Sequence, residues 1–153
     1  MIADATSTAD REIVITRVVD APRELVFKVW TDPEHVVHWW GPEGFTNTLH
    51  HMDVRPGGTW HHTMHGPDGT DYDNRYTYVE VTPPSRLVYK HDSAPKFLGE
   101  ITFEDVDGRT KVTMRSTFKT AELRNYTVER FGAVEGGKQH LARLDAYASR
   151  LKA

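Results

Sequence analysis

Five of the chain's nine histidines fall between His50 and Gly69, in HHMDVRPGGTWHHTMHGPDG, and two pairs of them are adjacent. Imidazole is the side chain that changes charge nearest neutral pH, and its neutral form ligates metals. Two chemistries follow: a metal site or proton transfer. Folding HHMDV back on GGTWHHTMH about Pro56-Gly57 predicts His51 opposite His62, Asp53 opposite Trp60 and Leu49 opposite Met64. Strand alternation then sends Leu49, His51, Asp53, Trp60, His62 and Met64 to one face, and His50, Met52, His61, Thr63 and His65 to the other. A one-residue bulge would reassign them.

A His51-His62-Asp53 group has the ligand types zinc accepts. It lacks HExxH or ligands at helix spacing, so no metal and no cofactor are expected. General acid-base work asks for less: one pocket histidine, His51 or His62, oriented by Asp53. No Ser, Thr or Lys stands in a nucleophile context, and a non-catalytic pocket is the leading expectation.

These residues must be positioned by a framework, and the chain has the length for one. Its 153 residues suffice for one domain with a real hydrophobic core. The formal net charge of -3, with acids and bases interspersed, leaves no basic stripe for nucleic acid. Without cysteine, disulfides, thiolate zinc sites and cysteine nucleophiles are excluded. The absence of a long apolar run or signal-like start predicts a soluble, cytoplasmic protein with no membrane partner.

Residues 1-10 read as a flexible N-terminal tail, and 11-153 as a single domain. REIVITRVVD alternates as a strand. Asp20-Ala21-Pro22 and Thr31-Asp32-Pro33 each open a short helix, the second running through PEHVVHWW to Gly41-Pro42. From Phe45 to Phe118 about six strand-like runs alternate with turns such as Arg55-Pro56-Gly57-Gly58 and Gly66-Pro67-Asp68-Gly69. Leu141, Leu144, Ala148 and Leu151 then recur at helical spacing, and the stripe extends back through Gly137, Val134 and Phe131. This predicts one long helix with a close approach, kink or break at Gly136-Gly137. The order is α+β: a curved antiparallel sheet of about seven strands around a long C-terminal helix, with two short helices and a cavity between helix and sheet.

Four segments, WWGPEGFT, DVRPGGTW with MHGPDG, YVEVTPPSRLVY and EGGKQHLARLDAY, resemble the activator of heat-shock-protein-90 ATPase homologue branch of the START-like, birch-pollen-allergen (SRPBCC) superfamily. The resemblance runs from about Arg11 to Leu151. It implies a helix-grip fold, a pocket between the long helix and the sheet, and a homodimer. It implies no shared catalytic motif, and a chaperone partner is not carried over from the family name. Similar sequences often have glycine at Tyr76, so an inward Tyr76 ring would shrink the pocket.

The function expected is binding of a small hydrophobic molecule, aromatic or acyl. The expected lining is Trp39, Phe45, Trp60, His62, Met64, Tyr78, Tyr89, Phe131 and Val134, with His62 as the orienting hydrogen-bond partner. Trp30 is expected in the core. Of Trp39 and Trp40, whose rings point roughly 100° apart, one is expected there and the other at the pocket mouth or a dimer face. The alternatives are a polyketide-cyclase or dehydratase type of enzyme and a protein-interaction adaptor.

Overall fold

A computed structural model describes residues 9–152. Most of the expected tail lies outside the described residues, and Ala9–Arg11 form a single 3-10 turn. Strand β1 (Glu12–Val19) leads into helix α1 (Arg23–Thr31), which Pro22 precedes, and helix α2 (Pro33–Val36). Asp32 caps α2, its side chain accepting from the Glu34 N–H, with Pro33 in the first turn where no donor is needed. The second helix ends after four residues; Val37, His38 and Trp39 continue as a turn.

Six strands follow: β2 (Thr46–Met52), β3 (Thr59–His65), β4 (Asp71–Thr82), β5 (Arg86–His91), β6 (Phe97–Val106) and β7 (Arg109–Thr117). With β1 they make one antiparallel sheet in the order β1-β7-β6-β5-β4-β3-β2. Register shifts in β2, between Leu49 and His51, and in β4, between Tyr78 and Glu80, add local twist that helps the sheet curl.

The chain closes with helices α3 (Ala121–Phe131) and α4 (Ala133–Leu151). Sequence periodicity predicts a single helix with its irregularity at Gly136-Gly137. The break comes instead at Gly132, whose φ of 61° lies in the left-handed region that side-chain-bearing residues avoid. The glycine pair serves the close approach: a Cβ on Gly137 would stand 2.9 Å from Ile15 Cγ1, so α4 lies almost on β1.

The core lies between the concave face and the helices. Ile13, Ile15, Trp60, Tyr76, Tyr78, Leu87, Tyr89, Ile101, Phe103 and Val112 come from the sheet; Val26, Val29, Trp30, Leu141, Leu144 and Ala148 come from α1 and α4. At roughly 1.5–3 kcal/mol for each large apolar side chain removed from water, this face is the main source of stability.

Candidate ligand-binding cleft

The hairpin of β2 and β3 decides what its histidines can do. Leu49 pairs with His62, but beyond the bulge His51 pairs with His61 and Met52 with Trp60. The extra residue turns His50 and His51 onto the outer face beside His61 and lets Met52 join Leu49 inside. The predicted His51-His62 pairing is therefore corrected. His51 is exposed, its Nε2 2.7 Å from Thr59 Oγ1, and Asp53 is exposed and paired with Arg55 at 2.7 Å. Neither stands with His62, and no group of three side chains among the described residues is arranged to hold a metal ion.

Trp60, His62 and Met64 all stand on the inner face, but at different depths. His62 is 1% exposed and stacks on Trp60, with ring centroids 4.4 Å apart. Tyr76 completes the stack at 4.6 Å from Trp60, and its ring contacts run on edge-on to Tyr89 and at a tilt to His91. The Tyr76 ring thus points inward and fills the space between the sheet and the helices. Among the described residues, neither nitrogen of His62 has a hydrogen-bond partner, nor has the Trp60 indole N–H or the Tyr78 hydroxyl. Burial pushes His62 down to about 3, so it is neutral at physiological pH. The same burial pushes the Tyr76, Tyr78 and Tyr89 hydroxyls up.

Trp39 and Trp40 both go into the core, correcting the division expected between them. Trp39 donates its indole N–H to Val29 O at 3.0 Å, and His140 from α4 packs against both rings. Tyr78 and Tyr89 are likewise buried, and Val134 is half-buried on α4 against the core.

Open space begins where this packing stops. A cleft of about 520 Å³ is lined by Pro42 and Phe45 from the α2–β2 loop, Met64 from β3, residues 71–74 of β4, His91, Ala94 and Pro95, and Thr127, Arg130 and Phe131 from α3. Of the predicted lining, Phe45, Met64 and Phe131 meet here, whereas Trp39, Trp60, His62, Tyr78, Tyr89 and Val134 do not.

Helix α4 shapes the loop wall. Arg143 Nη1 reaches the carbonyl oxygens of Trp40, Gly41 and Pro42 at 3.1, 2.9 and 2.8 Å, and Nη2 reaches that of Phe45 at 3.2 Å. The Gly41 N–H donates to His140 Nδ1 at 3.0 Å, and the Glu43 N–H to Gln139 Oε1 at 3.1 Å. Gly41 has φ of 95°, and a Cβ there would stand 2.7 Å from Met64 Cε. The positive φ is what selects glycine here, since the Met64 methyl ends a flexible side chain that could shift. Burial, followed by the Arg143 charge, pushes His140 down to about 3, which keeps Nδ1 available as an acceptor.

The histidine that reaches the cleft is His91, which the sequence reading did not single out. Its Nδ1 donates to Pro95 O at 2.6 Å, and its Nε2 lies 2.8 Å from Asn74 Oδ1 and 3.2 Å from Ser93 Oγ. Burial pushes its pKa down, against the Pro95 hydrogen bond that favours the charged ring. Alternation along β5 carried the signal, since His91 lies two residues from inward-facing Tyr89 and so shares its face.

The model of one protein family, described as activator of Hsp90 ATPase homologue 1-like, matches residues 20–149. The chain belongs to this family. Among solved structures, a Nitrosomonas europaea protein is 22% identical with a TM-score of 0.85, covering 97% of this chain and 100% of that one. An Arthrobacter aurescens protein is 24% identical with a TM-score of 0.85, covering 95% and 90%. An AHSA1-like protein from Aeromonas hydrophila is 22% identical with a TM-score of 0.71, covering 88% and 92%. These identities establish the helix-grip fold of the family, not an activity. Among curated proteins none matches this chain. No helix among the described residues is long and apolar enough to cross a membrane.

Proposed function

We propose that this family member binds a small molecule with an apolar, aromatic or acyl body, and that it does so in the cleft between the α2–β2 loop, α3 and the outer ends of β3–β5. The observation that carries this reading is the cleft itself: about 520 Å³ of open space walled by Pro42, Phe45, Met64 and Phe131. Its size falls within the range typical of small-molecule sites. Tyr76, Trp60 and His62 fill the deeper space, so the ligand lies against their outer edge rather than among them.

The arrangement favours binding over catalysis. The two histidines advanced as acid-base groups are an outward-facing one and a sealed one. His91, the histidine at the cleft, gives its Nδ1 proton to Pro95 O, and its Nε2 lies 3.2 Å from the Ser93 hydroxyl, which makes it part of the floor.

Native mass spectrometry of protein purified from its own host without refolding, compared with the denatured mass, tests this reading. An organic adduct is expected on the wild-type protein and lost from Met64→Asp, which places a carboxylate on an apolar wall. An adduct retained in full by a folded Met64→Asp variant would put the site elsewhere.

A further inference from the structure

Three formally charged side chains line the cleft, and two are already committed. Asp73 lies 2.6 Å from His61 Nε2 and 2.9 Å from Arg75 Nε, and the His61 hydrogen bond leads the causes that hold its carboxyl below the ordinary range. Asp71 lies 2.7 Å from His65 Nδ1. Arg130 differs. Its guanidinium sits 5.5 Å from the centroid of the Phe131 ring and has no hydrogen-bond or ion-pair partner among the described residues.

The polar floor is largely satisfied from within. His91 donates through Nδ1 to Pro95 O, its Nε2 lies 3.2 Å from the Ser93 hydroxyl, and Asn74 Nδ2 donates to Tyr72 O at 3.1 Å. The five N–H donors of Arg130, an exposed residue, are therefore the largest hydrogen-bonding capacity in the cleft not taken by another group of the protein. A guanidinium is a planar fork that meets a carboxylate through two parallel hydrogen bonds, and the adjoining ring face stabilises its charge. A cationic ligand would face this unpaired charge and find both carboxylates taken.

Resting on the binding reading above, we infer that the ligand is a small amphipathic carboxylate: its apolar body lies between Phe45, Met64, Tyr72 and Phe131, and its carboxylate meets Arg130. Arg130 thereby sets specificity for an acid over an uncharged isostere.

The full chain is titrated by calorimetry with 2-naphthoate and decanoate, each against its primary amide, and the titrations are repeated with Arg130→Gln. At least one acid is expected to bind about tenfold tighter than its amide, a difference of about 1.4 kcal/mol. Arg130→Gln is expected to erase that preference by weakening the acid about tenfold more than the amide. Equal affinity of acid and amide for the wild-type chain would overturn the carboxylate assignment and leave the cleft reading standing. A preference that survives Arg130→Gln would overturn the role of Arg130. If neither acids nor amides bind, the cleft reading itself falls with the inference.

Discussion

The two faces of the β2–β3 hairpin put one residue type to opposite uses. Outside, His50, His51, His61 and His65 pair with Thr63, Thr59, Asp73 and Asp71 at 2.6–2.9 Å, and His65 also reaches Thr48. Inside, His62 has no hydrogen-bond partner among the described residues; it stacks on Trp60 and Tyr76 and meets Trp40 edge-on. Partners are therefore most plentiful where water could have replaced them. What the contrast teaches is that histidine density does not mark a proton-transfer site: the outer rings are a solvated polar face, while the inner ring acts as a core aromatic that must remain neutral.

That difference breaks first in acid. His62 and His140 are both pushed down to about 3 by burial, from an ordinary value of 6.5. Between those values the unfolded chain binds protons that the folded chain cannot, so stability falls as pH falls below 6.5 and is complete above it. Each ring contributes a loss of about 1.4 kcal/mol per pH unit, roughly 2.7 for the two together, against a typical total of about 5–15 kcal/mol. Urea titrations from pH 7 to 4 are expected to show this slope. His62→Phe keeps the stack and is expected to remove the His62 share of it, about 1.4 kcal/mol per pH unit, leaving the shares of His140 and His91; an unchanged slope would mean that His62 does not resist protonation.

The next largest effect tests the stack at neutral pH. Trp60→Ala removes the ring between His62 and Tyr76 and is expected to cost about 3–5 kcal/mol of unfolding free energy. A loss under 1 kcal/mol would mean that the inner face is not a tightly packed core. The smallest effect belongs to the other face: His51→Ala is expected to change stability by less than about 0.5 kcal/mol. A larger change in the thermal midpoint would show that the outer array is structural after all.

Much of the architecture was legible in the residues. The strand β1, two helix starts at proline, six further strands and a helical C-terminal stripe follow from periodicity and turn chemistry, and β3 was assigned to the right face by Trp60. The register of β2 was not. HHM offers no alternation of its own, yet Leu49 and Met52 lie three apart, an odd spacing that brings both apolar side chains inside only through a bulge. That was the available signal. The cleft was harder to read, because it depends on how far Tyr76 fills the interior, and volume competition among rings distant in sequence leaves no local pattern. Arg130 and His91 reach the cleft by helix placement and by the end of a strand, so no shared motif joins them.

The hold of Arg143, His140 and Gln139 on the loop from Trp40 to Phe45 has a consequence for anyone transplanting this wall of the cleft. The loop takes much of its shape from a helix about a hundred residues away. Grafted onto another sheet-and-helix scaffold, WWGPEGF would arrive as a flexible glycine-rich segment unless residues 139, 140 and 143 travelled with it, so the portable unit is the pair of segments and not the loop.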